Sequence, residues 1–283
     1  MTKEEKSLIF DLLKKASASI SGYTTGDFLQ TPDFSDDTVK SQGASIQQTV
    51  EEAQNVPAQT GAQPSQAGAQ AGAQPSQAIA QPSQPVAPAG ASLESINAQI
   101  AQCSRCSLSK SRHNTVPGMG VSNPEVLVIG EAPGYEEDMQ GLPFVGPAGQ
   151  LLDKMLGAIQ LSRTCNTYIL NILKCRPPQN RTPYPEEAEA CSSFLKAQIA
   201  LLKPKMILCA GSTAAKNLLN TAMGVTRLRQ QIHEYAGIPV CVTYHPSYLL
   251  QHQEFKAQAW DDLKMFREQL LKTAPDYQKS FRG

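Results

Sequence analysis

Residues 126–134, Val-Leu-Val-Ile-Gly-Glu-Ala-Pro-Gly, constrain the fold of this chain more than any other stretch. Four consecutive apolar residues, two of them Val, are typical of a strand buried on both faces, as in a parallel sheet. The glycines and the proline that follow predict a tight turn at the carboxyl end of that strand, where open α/β sheets bind their ligands. Because Glu131 lies on this turn, the sequence places a carboxylate at a candidate binding site.

The rest of the ordered sequence alternates strands and helices. Similar apolar runs predict three more buried strands at residues 168–173, 206–210 and 240–244. Helical patterns begin at Ser92, which is a suitable N-cap, and then cover residues 147–159, 185–201, 211–219 and 254–271. This alternation predicts a three-layer α/β/α sandwich around a central, mainly parallel four-stranded sheet. Residues 227–235 fit either an extra edge strand or an ordered loop.

The N-terminal third differs in composition from the rest. An arm at residues 1–40 carries apolar residues at helical spacing over residues 4–20, which predicts a helix that either docks a protein partner or packs on the main domain. Residues 41–91 consist mostly of Ala, Gln, Gly, Ser and Pro, and the string Ala-Gln-Pro-Ser-Gln begins at residues 62, 73 and 80. Such a segment is predicted to be a disordered linker that leads to a catalytic domain at residues 92–283.

Charge and hydropathy narrow the class of protein. Residues 1–92 contain 5 Lys or Arg against 9 Asp or Glu, whereas residues 93–283 contain 20 against 16. A mildly basic second part permits contact with nucleic acid without requiring it. Because there is no signal-peptide pattern and no apolar stretch of about 18 residues, we expect a cytoplasmic protein that does not bind a membrane. We also expect a monomer.

The seven cysteines fall into two groups. Cys103 and Cys106 form a C-x2-C pair, 68 residues separate them from Cys175, and 15 more separate that residue from Cys191. Four such thiolates can meet at a zinc ion or an iron–sulfur cluster, although cysteines scattered through the core are the alternative. The other three are Cys165 and, within strand runs where buried thiols are predicted, Cys209 and Cys241.

Residues able to bind a ligand lie near or just beyond the end of each predicted strand. In chain order they are Glu131, Glu137 and Phe144, then Asn171, then the turn Gly211-Ser212-Thr213, then His245-Pro246-Ser247. Because the carboxyl ends of parallel strands open on one edge, we expect these groups to converge. The free N–H groups of the glycine turn suit a phosphate. Taken singly, most of these residues also fit structural roles.

Together these motifs resemble those of the iron–sulfur uracil-DNA glycosylases, family 4 of the uracil-DNA glycosylase superfamily. The matching segments are residues 130–134 with 137–138, 142–146, 149–152, 171–178 and 245–247. The resemblance covers roughly residues 92–271. It implies a 4Fe-4S cluster held by Cys103, Cys106, Cys175 and Cys191. It also implies base excision repair of uracil-containing DNA, single- or double-stranded.

The resemblance also implies roles at the strand ends. Phe144 would stack on an extruded uracil, and the Asn171 amide would pair with the N3–H and O4 of the base. His245 would hydrogen-bond the uracil O2 as charge develops there. Glu131 or Glu137 would balance the positive sugar and orient the water that completes hydrolysis, which releases free uracil and leaves an abasic site.

Departures from other superfamily members affect three positions. Ala132 stands in the base-binding turn where others carry a water-positioning aspartate, and Gly134 stands where others carry a tyrosine that excludes thymine. We expect Glu137 to narrow the pocket instead. No histidine lies between Cys175 and Cys191, which predicts turnover rather than covalent trapping of uracil.

Four residues are expected to contact the DNA. They are the phosphate-binding turn Gly211 and Ser212, then Ser247, then Leu249, which would fill the space left by the extruded base. Two other functions remain open from the sequence. One is a non-catalytic DNA-binding or replication-associated module with the same fold, and the other is a zinc-stabilised hydrolase of small nucleotides.

Overall fold

The computed structural model describes residues 90–281. The predicted N-terminal arm and nearly all of the predicted linker therefore lie outside the described residues. The described helices are α1 (Leu93–Ala101), α2 (Tyr135–Gln140), α3 (Pro147–Gly157), α4 (Pro185–Leu202), α5 (Ser212–Leu219), α6 (Val225–Leu228), α7 (Pro246–Gln251) and α8 (Lys256–Thr273). None of these helices is long and apolar enough to cross a bilayer.

Six strands form one sheet in the described part of the chain. They are β1 (Met119–Gly120), β2 (Val126–Gly130), β3 (Thr167–Asn171), β4 (Met206–Ala210), β5 (His233–Tyr235) and β6 (Ile238–Thr243), in the order β1-β3-β2-β4-β6-β5. The four predicted strands form the parallel centre, β3-β2-β4-β6. Two short antiparallel strands, β1 and β5, border it, so the sheet has six strands rather than four. Of the predicted range 227–235, only His233–Tyr235 form the edge strand, and Arg227 and Leu228 belong to α6.

Alternation along the buried strands produces the predicted three layers. Leu127 and Ile129 of β2 pack with α4 and α5 on one face of the sheet. Val126 and Val128 point the other way, toward α3 and α8. Helix α1 begins at Ser92, whose Oγ accepts the Ser95 amide, and packs outside the sandwich against α4. Both faces of the sheet are therefore covered, and ligands can reach it only from its edges.

The register of the sheet brings the strand ends together. Gly130 at the end of β2 pairs with Asn171 at the end of β3, and Ala210 at the end of β4 pairs with Thr243 at the end of β6. Strand β3 is shorter than predicted and ends at Asn171 itself, so this side chain stands at the edge of the sheet. The loops that follow these four ends build the candidate site.

Candidate functional site

A cavity of about 570 Å³ opens at the carboxyl edge of the parallel strands. Residues from all four strand ends line it. Nine of the residues predicted for the strand-end site are among them: Glu131, Ala132, Glu137, Phe144, Asn171, Gly211, Ser212, His245 and Ser247. The predicted convergence at this edge is therefore observed.

Gly130 forms the floor between an amide and an aromatic ring. A Cβ atom added to Gly130 would lie 2.3 Å from Asn171 Oδ1 and 2.5 Å from Phe144 Cζ. Only glycine lets both side chains pack this closely over the end of β2. The Phe144 ring also lies beside the imidazole of His245, with ring centroids 5.6 Å apart. Ring, amide and imidazole thus share one crevice.

The hydrogen bonds of His245 define its tautomer. The backbone N–H of Ser247 donates to His245 Nδ1 over 3.2 Å, and the Ser247 hydroxyl lies 2.7 Å from the same nitrogen. Since a backbone amide can only donate, Nδ1 is an acceptor, and a neutral ring carries its proton on Nε2. Burial lowers the pKa of His245 to about 4, so the ring is neutral at pH 7. The imidazole therefore presents an N–H donor.

Two buried polar atoms of this pocket have no hydrogen-bond partner within residues 90–281. They are Asn171 Oδ1, an acceptor, and His245 Nε2, a donor in the tautomer just assigned. Leaving such a group unpaired costs about 1–3 kcal/mol, so each is expected to be satisfied by a ligand. A flat ligand that offers both an N–H and a carbonyl oxygen would match the two atoms.

Of the three glutamates that line the pocket, Glu131 and Glu137 are the two predicted site residues, and they are held differently. Glu131 Oε2 accepts a hydrogen bond from Thr213 Oγ1, on the first turn of α5. Glu137 Oε2 accepts the Gly134 amide, and its Oε1 accepts the amides of Val145 and Gly146. Backbone amides thus engage both oxygens of Glu137, whereas the Glu131 carboxylate accepts only the Thr213 hydroxyl among the described residues. This difference favours Glu131 over Glu137 as the carboxylate that acts on water or the sugar.

Leu249 does not lie where a DNA wedge would lie. Its side chain is 1% exposed and packs against Tyr244 and Ala259, so the predicted insertion into DNA is wrong. The exposed large apolar side chains of α7 are Tyr248 and Leu250, at 37% and 39%. Helix α7 begins at Pro246, directly after His245, and this start sets which residues of the helix point inward.

The predicted phosphate-binding turn is only partly available. Gly211 has a φ of 94°, and its amide donates to the carbonyl of Thr243. A Cβ atom there would lie 2.9 Å from the Cβ of His245, so the turn also supports the imidazole. Ser212 lines the pocket as the first residue of α5, where its amide points out of the helix start.

A second, small cavity is lined by the four predicted cysteine ligands, Cys103, Cys106, Cys175 and Cys191. Burial raises the pKa of the Cys175 thiol to about 11, and Arg112 Nη1 donates to its sulfur over 3.2 Å. In residues 90–281 no three His, Cys, Asp or Glu side chains form a group that could hold one metal ion.

Lys174 connects the two cavities, a placement that its sequence neighbours did not signal. It lines the cysteine cavity and is 1% exposed, yet its Nζ donates to the backbone carbonyl of Asn171 over 2.8 Å. Burial lowers the pKa of Lys174 to about 7, and negative charge on Cys191 and Cys175 raises it again, so thiolates in this cavity would favour the ammonium form. Cys209 and Cys241 lie in β4 and β6 and are buried, as predicted.

An aromatic ring and two unpaired polar atoms at the ends of parallel strands are typical of an α/β protein that binds a flat heterocycle. The chain belongs to the uracil DNA glycosylase superfamily, whose sequence profile matches residues 117–264. It is 38% identical over 192 residues to the type-4 uracil-DNA glycosylase of Archaeoglobus fulgidus, across 65% of this chain and 96% of that protein. The type-4 uracil-DNA glycosylase of Pyrobaculum aerophilum is 40% identical over 182 residues, 62% of this chain and 92% of its own length. The type-4 uracil-DNA glycosylase of Thermotoga maritima is 40% identical over 163 residues, which are 57% of this chain and 84% of that protein. The resemblance to family 4 is confirmed.

Proposed function

We propose that this protein extrudes uracil from DNA and hydrolyses its N-glycosidic bond, which releases free uracil and leaves an abasic site. The observation that supports this most directly is the pair of unpartnered buried atoms, Asn171 Oδ1 and His245 Nε2, beside the Phe144 ring. The type-4 uracil-DNA glycosylases to which the chain is similar support the same activity.

Recognition of the base follows from hydrogen-bond complementarity. Asn171 Oδ1 accepts the N3–H of uracil, its amide nitrogen donates to O4, and Phe144 stacks on the face of the ring. Cytosine has no proton on N3 and carries an amino group in place of O4. Asn171 Oδ1 would then face another acceptor, and its amide nitrogen would face another donor. A site built to hydrogen-bond one pattern rejects the other strongly.

Cleavage places negative charge on the departing base and positive charge on the sugar. His245 donates its Nε2 proton as a hydrogen bond to uracil O2, where that charge arrives, without needing to transfer the proton. Glu131, which Thr213 holds at the rim of the same pocket, balances the sugar and orients the attacking water. Ser247 keeps the imidazole in the donor tautomer.

The four cysteines would hold a 4Fe-4S cluster, and the residues present fit such a group. Four thiols face one cavity, and three cations, Arg105, Arg112 and Lys174, line it with them. The cluster would tie the segment after α1, with Cys103 and Cys106, to Cys175 in the loop after β3 and to Cys191 in α4. The loop after β3 follows Asn171, which lines the base pocket. We assign it a structural role.

Replacing a cluster ligand tests that assignment. Cys191→Ser is expected to remove iron and the visible absorbance at roughly 400 nm, and to lower the thermal midpoint, because ligation free energy becomes folding free energy. Cys165→Ser is the control, since Cys165 does not line that cavity. A Cys191→Ser protein with undiminished iron would contradict the ligand set.

The activity is tested with uracil-containing oligonucleotides, followed by alkali to cleave abasic sites. Asn171→Ala is expected to lower kcat/KM by about 10- to 100-fold, since each 1.4 kcal/mol of lost hydrogen bonding is a factor of ten. Asn166→Ala is the matched control, an equally buried asparagine at the opposite end of β3. It should lower stability and leave kcat/KM unchanged.

The alternative of a non-catalytic DNA-binding module predicts a different outcome. Iron-loaded protein would then bind DNA and leave uracil in place. Absence of alkali-sensitive sites at uracil, in both single- and double-stranded oligonucleotides, would favour that module over the glycosylase.

A further inference from the structure

The backbone of Phe144 adopts a conformation that its side chain disfavours. Its φ is 53°, in the left-handed region where the Cβ of an L residue crowds its own backbone. A bulky residue stays there only when the surrounding structure holds it. The ring of Phe144 lines the base pocket, so whatever holds this conformation also sets the position of the stacking surface.

Arg163 holds the carbonyl groups of this segment. Its Nη1 donates to the carbonyl of Pro143 over 2.8 Å, and its Nη2 donates to the carbonyl of Phe144 over 3.0 Å. The Arg163 side chain is 11% exposed, and its guanidinium is oriented by Asp153, which accepts from Nε and Nη2. A planar guanidinium offers five donors in a fixed fork, so it holds both carbonyls and Asp153 at once, a geometry that the compact three-donor ammonium of lysine does not match.

Other groups fix the same segment from the opposite side. Glu137 Oε1 accepts the amides of Val145 and Gly146, the two residues that follow Phe144. Because Gly149 has no side chain, α3 can approach the backbone of Phe144: a Cβ atom at this position would lie 1.9 Å from the Phe144 carbonyl oxygen. A cation thus binds the carbonyls up to Phe144, and an anion binds the amides after it.

We propose that Arg163 is a positioning residue that acts through Phe144, by holding its strained backbone so that the ring is preset to stack on the base. The identity of that base rests on the proposed function. The backbone clamp itself does not, and it can be measured without any substrate. This assigns a specific task to a residue 19 positions away from the ring it places.

A double-mutant cycle tests the proposal, using Arg163→Met, Phe144→Ala and the double variant in the full chain. Affinity for free uracil, measured by calorimetry, and kcat/KM on uracil-containing DNA are the readouts. Arg163→Met is expected to weaken both by about tenfold, the effect of losing hydrogen bonds to a charged group. On the Phe144→Ala background the same change should cost less than twofold, because no ring remains to be placed.

Two further variants separate positioning from stability and charge. Arg163→Lys keeps the charge but lacks the fixed fork of donors, and it should give intermediate values. Arg267→Met removes an exposed arginine on α8 and should change neither readout. Equal losses from Arg163→Met in both Phe144 backgrounds, or uracil affinity within twofold of wild type, would overturn the proposal.

Amide hydrogen exchange distinguishes failure of the clamp from failure of the proposed function. Exchange at Val145 and Gly146 should accelerate in Arg163→Met while the strands keep their protection. If it does so in a protein whose wild type releases no uracil, the clamp stands and the glycosylase assignment fails. If the exchange rate of these two amides is unchanged in Arg163→Met, Arg163 does not hold this segment, and the proposal fails whatever the activity.

Discussion

His245→Ala is expected to lower kcat on uracil-containing DNA by about 10²–10³-fold, the usual cost of removing one donor that stabilises developing negative charge. The donor is Nε2–H, which is buried, faces the pocket and has no partner in the described residues. KM should change much less, because the hydrogen bond strengthens only as charge reaches the base. The measurement is single-turnover cleavage, which separates bond breaking from product release.

His233→Ala provides the matched control. His233 is a half-buried histidine on β5 whose Nε2 lies 2.7 Å from the backbone oxygen of Leu228. Its loss should affect stability and leave kcat unchanged. Equal losses of kcat in the two variants would mean that His245 acts through folding rather than on the base.

The pH dependence gives an independent check on His245. Burial lowers its pKa to about 4 from an ordinary 6.5, so the neutral donor is present throughout the neutral range. Activity that depends on it should fall only as pH drops toward 4. Stability depends on pH in the same direction. The contribution of the neutral ring to the free energy of unfolding is complete above pH 6.5, the ordinary pKa, and is lost as pH falls through the folded pKa of about 4. An acid limb of kcat near 6.5 would contradict a buried neutral imidazole.

The sequence was sufficient to predict the α/β/α sandwich and most of the residues that line the pocket. Apolar runs identify the four parallel strands because burial on both faces requires them, and strand ends in a parallel sheet must share an edge. That rule alone brings Glu131, Asn171 and His245 together before any coordinates are known. The edge strand β1 escaped prediction because two residues carry no periodicity.

The prediction for Leu249 failed because the direction of a helical side chain depends on the exact residue at which the helix begins. Leu249 points inward and Leu250 outward because α7 begins directly after His245, and a shift of one residue rotates a helical side chain by about 100°. Glu137 could not be separated from Glu131 by sequence, since both are acids near one turn. Only the positions of nearby backbone amides show that both carboxylate oxygens of Glu137 already accept hydrogen bonds.

Gly130→Ala is expected to lower kcat/KM by about 10²-fold or more, although it adds a single methyl group to the end of a strand. That methyl would lie 2.3 Å from Asn171 Oδ1 and 2.5 Å from Phe144 Cζ, so both groups that read the base must move. A displacement of about 1 Å in a positioning group can itself cost 10²-fold. Because β2 is fixed by neighbours on both sides, the strand cannot retreat to relieve the contact.

Gly157→Ala is the control for this variant, since a Cβ atom at that last residue of α3 meets nothing within 4 Å. It should keep full activity and gain slightly in thermal stability, because alanine favours a helix more than glycine does. Gly130→Ala should lose stability by about 1–3 kcal/mol through overpacking, and its activity should remain low well below its thermal midpoint. Full uracil excision by folded Gly130→Ala would show that Asn171 and Phe144 do not read the base from above this glycine, because the crevice would tolerate an atom where the structure leaves no room for one.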